Sequence, residues 1–439
     1  MEILIKAGQL ILSLSILIVL HEFGHYLPAR WFKTRVEKFY LFFDYKFSLF
    51  KKKIGETTWG IGWIPLGGYV KISGMIDESM DKEQMKQPPQ EWEFRSKPAW
   101  QRLIIMIGGV VVNMIVGIVI YILVLFAWGE DYIAPKDVKH GYSFHETYKE
   151  LGFQDGDNIV ALDGEVPFDV MDINKFILLR DIQEITIERN GQESKIVLPE
   201  DMDMRAFKAG AMNGISPRFT AVIDSVIVAG NAEKAGLQKG DSIIAVNYQK
   251  TAYWDQFQTQ IKANKSKDVS VIYLRDEVID SLIISVDSLG MIGVAPVGLS
   301  KDIISHKDYS FGAAIPGGLK LGMNTLSDYV SQLKFLFTKE GASSIGGFGA
   351  FGSLFSPTWD WQVFWGMTAF ISIMLAFMNF LPIPALDGGH IMFLLYEMIT
   401  GRKPNEKLME YAQMAGIILL LGLLLYANGL DIYKAIFGK

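Results

Sequence analysis

Two histidines and a glutamate near the N-terminus have the spacing of a metallohydrolase site. His21, Glu22 and His25 lie in the motif His-Glu-Phe-Gly-His. On a helix, residues four apart project from one face, so His21 and His25 could bind one zinc ion. Glu22 could then act on a water bound to that metal. The alternative is a chance match in a chain that has six histidines.

The surroundings of the motif argue against chance. Between Lys6 and Arg30, Glu22 is the single formally charged residue, so an ionisable side chain lies within an apparent membrane span. Such side chains are costly in hydrocarbon and indicate function there. The same stretch resembles a signal peptide, but it lacks a small-residue cleavage site, and we interpret it as a retained helix.

A catalytic zinc site generally has three protein ligands and one open position. The chain contains no cysteine, so a third ligand must be a histidine or a carboxylate. Asp387 is the candidate, because it directly follows an apolar stretch that Pro382 and Pro384 interrupt. His390 is the alternative third ligand.

Composition and hydropathy predict the elements that position these residues. Half of the 439 residues are hydrophobic, and the net charge of −6 gives no sign of a nucleic-acid partner. We predict a polytopic α-helical membrane protein with four transmembrane helices. These are expected within residues 1–30, 103–129, 359–390 and 391–439, the last after a cytoplasmic turn. The alternative for each is a buried core helix, but their length argues against it.

Helix parity brings the two motifs together. His25 ends the first span and Asp387 follows the third, which runs in the same direction, so both reach one membrane face. The loop at 31–102 is rich in lysine and arginine, which predicts that this face is cytoplasmic. We therefore expect a multi-pass membrane protein, with the segment between spans two and three on the outer side of the membrane.

Within that loop, residues about 57–75 predict an apolar β-hairpin that turns at Pro65–Gly68. A hairpin re-entering the membrane could hold an extended substrate along its edge by strand addition, through Gly67, Gly68 and Tyr69. An ordinary surface hairpin is the alternative.

Residues 130–215 and 216–300 form an internal repeat. Leu151–Ala161 matches Ala235–Ala245 at an offset of 84 residues. The second phrase is similar to an α/β PDZ domain, a fold that binds peptide tails at a sheet edge. A pair of spacer domains without ligands is the alternative. Residues 301–358 predict an amphipathic segment at the outer membrane interface.

Taken together, the HEFGH motif, the NxxPxPxxDG motif and the paired PDZ-like segments resemble the site-2 protease family of intramembrane metalloproteases. The bacterial regulator-of-sigma-E protease branch is the most similar. Phe94–Arg102, Gly108-Gly109 and Asn113 also resemble this family's second span. The chain departs from it at Gly346–Gly349, where the family has Gly-Pro.

The resemblance implies cleavage of single-span membrane proteins within the bilayer, such as an anti-sigma factor after a first cut outside, in envelope-stress signalling. It implies zinc on His21, His25 and Asp387, and a base at Glu22. It also implies a place in the cell inner membrane, with the PDZ-like segments on the periplasmic side. It also implies a substrate or structural role for Asn379, Pro382 and Pro384, and a size-filtering role for the outer domains.

Two rival functions are considered. One is a membrane-anchored PDZ scaffold or chaperone without proteolytic activity, and the other is a zinc protease that acts on soluble chains in the cytosol. Glu22 argues against the scaffold, which has no use for a carboxylate within a membrane span. The position of the HEFGH motif inside an apolar span argues against the cytosolic protease.

Overall fold

The structure, a computed structural model, describes residues 1–75, 87–299 and 301–437. It contains two compact units. The first combines Met1–Gly129 with Asp308–Lys439, and the second is Glu130–Lys307. The second unit is therefore an insertion between two parts of the first.

The described helices and strands are numbered in chain order. The helices are α1 Glu2–Trp31, α2 Ala99–Trp128, α3 Glu146–Lys149, α4 Ile173–Leu179, α5 Met202–Lys208, α6 Asn231–Ala235, α7 Trp254–Ala263, α8 Phe311–Leu336, α9 Lys339–Ser344, α10 Phe348–Ser353, α11 Trp361–Phe380, α12 Asp387–Thr400 and α13 Glu406–Phe437. The strands are β1 Val36–Phe43, β2 Phe50–Ile54, β3 Thr57–Ile61, β4 Ile64–Ile72, β5 Glu130–Tyr132, β6 Tyr142–Phe144, β7 Asn158–Leu162, β8 Glu184–Arg189, β9 Gln192–Val197, β10 Ile215–Pro217, β11 Ile223–Val226, β12 Ser242–Val246, β13 Gln249–Lys250, β14 Asp268–Arg275, β15 Val278–Ser285, β16 Val294–Pro296 and β17 Ser305–Lys307.

Four of the described helices, α1, α2, α11 and α13, are long and apolar enough to cross a membrane. A span needs about 20 residues, and α11, the shortest of the four, has 20. The limits predicted for the third and fourth spans are wrong. Helix α11 ends at Phe380, and residues 391–400 belong to the separate helix α12 rather than to a turn.

Helix α2 is the centre of the first unit, because α1, α8, α11 and α12 all pack against it. The backbones of α1 and α2 meet at Gly24 and Gly108, where a Cβ on Gly24 would lie 2.5 Å from the Gly108 carbonyl oxygen. Helix α11 is tied to α2 by Ser372, whose hydroxyl donates to the Asn113 carbonyl at 2.7 Å. Small residues thus allow the close helix approach that membrane bundles use.

The segment between α1 and α2 forms a four-stranded sheet in the order β2-β3-β1-β4. Strand β1 pairs in parallel with β3 and antiparallel with β4. The predicted hairpin is therefore wrong in its pairing, because β1 lies between the two segments that were expected to pair directly. Pro65–Gly68 are not a turn but part of strand β4.

Strand β4 is an edge of this sheet and packs on α1. A Cβ on Gly68 would lie 2.6 Å from Ile18 and 2.7 Å from the Tyr40 carbonyl oxygen, so only glycine fits there. Further along α1, the ring of Tyr26 contacts the ring of Phe39 with centroids 5.9 Å apart. The sheet therefore lies alongside α1 from Tyr26 back to Ile18.

Helix α8 runs antiparallel to α2. Gly318 packs against Ile122 and Gly322 packs against Ile118. The segment 301–358 is thus not a simple interfacial helix as predicted, because the glycines let α8 pack lengthwise on a helix of membrane-spanning length.

The second unit contains two copies of one pattern. Asp157 and Asp241 are separated by the offset of 84 found in the sequence, whereas their arginine partners on the following strand, Arg189 and Arg275, are 86 apart. Each copy has its own buried core, one around a three-stranded sheet (β7-β8-β9) and one around a four-stranded sheet (β13-β12-β14-β15). In the first copy Arg189 binds Asp157 at 2.7 Å, and in the second Arg275 binds Asp241 at 2.6 Å. Strand β17 then pairs with β5, which closes the unit at Lys307.

Candidate active site

Helix α1 presents His21, Glu22 and His25 to the interior of the first unit. Their position depends on Gly24, because the contact of Gly24 with Gly108 brings this turn of α1 directly against α2. The glycine between the two histidines is therefore a packing requirement of the motif.

Asp387 reaches the same place from the break between α11 and α12. Pro382 and Pro384 lack a backbone N–H and cannot continue a helix. The chain turns through Ala385, which has a φ of +80°. Gly388 packs so closely on the Leu381 carbonyl that a Cβ would not fit. Asp387 is consequently the first residue of α12.

Three ligand atoms from these elements form a nearly equilateral triangle. The Nε2 atoms of His21 and His25 lie 3.3 Å apart, and Asp387 Oδ2 lies 3.2 and 3.3 Å from them. Zinc bonds of about 2.0–2.1 Å at tetrahedral angles separate neighbouring ligand atoms by about 3.3–3.4 Å. Apart from the two rings, no donor in the described part of the chain reaches the buried Oδ2. The three residues thus fit a zinc ion.

One face of α2 contacts both histidine rings. The Ile105 carbonyl accepts a hydrogen bond from His25 Nδ1 at 2.8 Å, and the Asn113 amide lies 3.2 Å from His21 Nδ1. Between these two residues, a Cβ on Gly109 would collide with His25 Nε2 and lie 2.6 Å from His21 Cε1. The three α2 residues are four apart and so share a face.

A cavity of about 720 Å³ opens beside this triangle. Glu22 lines it with the three candidate ligands, and its carboxylate accepts a hydrogen bond from the backbone N–H of Val70. Residues 68–72 of strand β4 form another part of the wall. The cavity therefore combines a candidate metal site, a carboxylate and a sheet edge.

The other predicted site residues divide into two groups. Asn379, Gly68 and Tyr69 line the cavity, and the Asn379 amide lies 3.5 Å from His21 Nε2. Among the described residues, the cavity lining does not include Gly67, Pro382 or Pro384. Both prolines lie in the break between α11 and α12, which brings Asp387 to the site. His390 lines the cavity but is outside the group of three ligands.

The contacts of the α2 face with the two histidines were not predicted from the sequence. The signal was present as Asn113, a polar residue within an otherwise apolar span, at a spacing of four from Gly109 and of eight from Ile105. The contacts themselves join residues 80 and 92 apart in the chain, and a single sequence does not show such pairings.

Comparison with known proteins identifies the family of this chain. The profile of Peptidase family M50 matches residues 9–423. Protease RseP of Yersinia pestis is 29% identical, over 97% of this chain and 98% of that protein. Regulator of sigma E protease of Haemophilus influenzae is 27% identical over the same shares. A Thermotoga maritima relative named as a zinc metalloprotease is 27% identical, over 96% of this chain and 98% of its own.

The match covers nearly the whole chain, including α1, α2, the inserted unit and the break before α12. The family is one of membrane proteins, in agreement with the four apolar helices, and its members are zinc proteases. This chain belongs to peptidase family M50, the site-2 protease family of intramembrane zinc metalloproteases.

Proposed function

We propose that this protease holds its zinc ion with His21, His25 and Asp387. The triangle of ligand atoms with sides of 3.2–3.3 Å carries the proposal, because it matches the ligand spacing of tetrahedral zinc. All three residues line the same cavity as Glu22.

Glu22 is the general base in this proposal. A zinc ion held there would supply Lewis-acid chemistry, which lowers the pKa of a bound water and polarises a carbonyl group. Glu22 is adjacent in sequence to His21, takes the proton of the water and returns it to the leaving amine. The Val70 N–H keeps the carboxylate oriented within the cavity. Asn379 turns an amide toward the same region and is suited to a hydrogen bond with the substrate backbone.

The substrate is proposed to lie along strand β4. A transmembrane helix hides its peptide bonds by internal hydrogen bonding, so it must unwind before cleavage. In the antiparallel pairing with β1, alternate residues of β4 direct their N–H and C=O groups away from β1. Val70 and Gly68 are two of these. The Val70 N–H contacts Glu22, so the proposed substrate would pair with the Val70 C=O and with Gly68. Strand addition at this edge would present an extended substrate beside Glu22.

The zinc assignment is tested by metal analysis of purified variants. We expect about one zinc per chain in the unaltered protein. Asp387→Ala should lose most of the metal, while His390→Ala, in the same cavity wall, should retain it. Retention by the first variant and loss by the second would move the third ligand to His390.

Cysteine cross-linking tests the substrate position. The chain has no cysteine, so Tyr69→Cys on β4 and Lys52→Cys on β2 each introduce a single thiol. Both are made with Glu22→Gln, and a single-span membrane substrate carries one cysteine near its cleavage position. Disulfide formation is expected with the β4 variant. Equal yields at both edges, or a higher yield with β2, would contradict strand addition at β4.

We propose that the substrates are single-span membrane proteins of the anti-sigma-factor type. The basis is the similarity to relatives named regulator of sigma E protease. The abundance of lysine and arginine between α1 and α2 supports a cytoplasmic site in the inner membrane, with the second unit in the periplasm. In this arrangement the sheet beside α1 re-enters the membrane, which its packing along residues 18–26 supports.

The two copies in the second unit are proposed to be PDZ-like domains that screen substrates. Their repeated strands, helix and Arg–Asp pair support a common fold. A scaffold or chaperone function alone leaves the buried ligand triangle and Glu22 without a role, so proteolysis is favoured. The cytosolic protease is disfavoured because the site lies among helices of membrane-spanning length.

A further inference from the structure

We propose that Asn113 positions the zinc ligand His21 by accepting a hydrogen bond from its Nδ1–H. This inference rests on the proposed zinc site. It concerns a residue of α2 that does not itself reach the metal. The two histidines receive different support from the same helix.

His25 has an unambiguous partner. Its Nδ1 lies 2.8 Å from the Ile105 carbonyl oxygen, which can only accept a hydrogen bond. Nδ1 of His25 therefore carries the hydrogen, and Nε2 keeps its lone pair for the metal. Metal-binding histidines generally donate their second N–H to such an acceptor, which fixes the tautomer and the orientation of the ring.

His21 needs the same arrangement. Its Nε2 is the atom in the ligand triangle, so in the metal-bound state its Nδ1 must carry the hydrogen and donate. The atom opposite Nδ1, at 3.2 Å, is Nδ2 of Asn113, which is also a donor. Two N–H groups cannot form a hydrogen bond with each other.

The opposite orientation of the Asn113 side-chain amide removes this conflict between two donors. Oδ1 of Asn113 is buried and has no hydrogen-bond partner within the described ranges. The two ends of an asparagine amide have nearly the same shape, and their assignment follows from the hydrogen-bond network. Rotating the amide by half a turn puts Oδ1 opposite His21 Nδ1, which gives the orphaned acceptor a donor. Asn113 is 1% exposed, so water does not compete for this contact.

The test compares zinc affinity by chelator competition in three purified variants of the full chain. Asn113→Leu removes the acceptor at similar volume, and loss of such a partner typically weakens metal binding about 10–100-fold. Asn113→Asp keeps an acceptor and has no donor, so it should bind zinc within about threefold of the unaltered protein. Ser372→Ala is the matched control, because it removes the buried hydrogen bond to the Asn113 backbone carbonyl but leaves the amide in place.

Thermal unfolding of the metal-free proteins separates positioning from folding. The inference predicts a zinc-affinity loss for Asn113→Leu that exceeds the loss in Ser372→Ala at comparable metal-free stability. If Asn113→Leu does not fold, the Asp variant decides: affinity near that of the unaltered protein supports an acceptor role, and a loss of tenfold or more overturns it. Unchanged affinity in the Leu variant also overturns it. An unaltered protein without zinc would instead refute the proposed zinc site.

Discussion

At the scale of single residues, the site depends on glycines as much as on its polar groups. Gly24 sets the distance between α1 and α2, and Gly109 leaves room for both histidine rings. The HEFGH motif and Asp387 were predictable, because charge inside an apolar span and a proline-broken helix end are visible in one sequence. The space that those side chains need is not visible there.

Gly109→Ala tests this packing role. Alanine is favoured over glycine in a helix by about 0.5–1 kcal/mol, so the helix itself should not suffer. The added methyl group would collide with His25 Nε2, and we expect zinc affinity to fall at least tenfold, by analogy with the loss of supporting contacts around metal ligands. Gly366→Ala on α11, where a Cβ meets nothing within 4 Å, is the matched control. Full zinc affinity in Gly109→Ala would show that the rings can shift without loss.

At the scale of elements, the sequence indicated strands but not their partners. Strand β1, VEKFYLFF, ends in a continuous apolar run, and such a run does not distinguish a buried strand from other buried segments. Strand β1 lies between β3 and β4, and both β1 and β4 pack on α1; a single sequence does not show these long-range contacts. The position of helix α8 was predicted wrongly for a similar reason. Gly318 and Gly322 pack against α2, but the sequence does not show which helix these glycines contact.

The two copies of the second unit differ at one edge. In the first, Asn174 of α4 accepts from the Ile215 N–H at 3.0 Å and donates to the Ile215 carbonyl at 2.7 Å. This amide occupies the outer edge of β10 as a bound strand would. In the second copy, Val294 on β16 occupies the position of Ile215 on β10. The side chain of Gln258, the residue 84 positions after Asn174, makes no hydrogen bond within the described residues.

We therefore expect the first copy to be closed to strand addition and the second to be open. Residue-resolved hydrogen exchange should show slower exchange of the Ile215 amide than of the Val294 amide. Asn174→Ala should remove that difference, whereas Asn231→Ala, which loses a side-chain bond to the Ser285 carbonyl, should not. Equal exchange at both amides in the unaltered protein would mean that Asn174 does not close the edge.

At the scale of the whole molecule, we assign catalysis to the first unit and the screening of substrates to the second. All candidate site residues belong to the first unit, and the insertion Glu130–Lys307 has its own two cores. Lys307 pairs with Glu130 in the β17–β5 ladder, so the two ends of the insertion meet. A short linker can therefore replace it.

Joining Gly129 to Asp308 with a Gly/Ser linker tests the screening role. The shortened protein should still cleave a substrate whose outer domain has been removed, because the ligands and Glu22 remain. It should also cleave the untrimmed substrate, which the complete protein is expected to reject if the insertion screens substrates. Zinc content shows whether the shortened protein is folded. Continued rejection of untrimmed substrate by a zinc-loaded protein would contradict screening by the insertion.

The most direct test of the central claim is Glu22→Gln, measured for zinc content and cleavage in one preparation. Glutamine has nearly the same size and can still bind the Val70 N–H, but it cannot accept a proton. General acid–base catalysis contributes about 10²–10⁴-fold, so cleavage of a single-span membrane substrate should fall at least 10²-fold while about one zinc per chain remains. Loss of zinc together with activity would make Glu22 a structural residue, and unchanged cleavage would contradict the proposed mechanism.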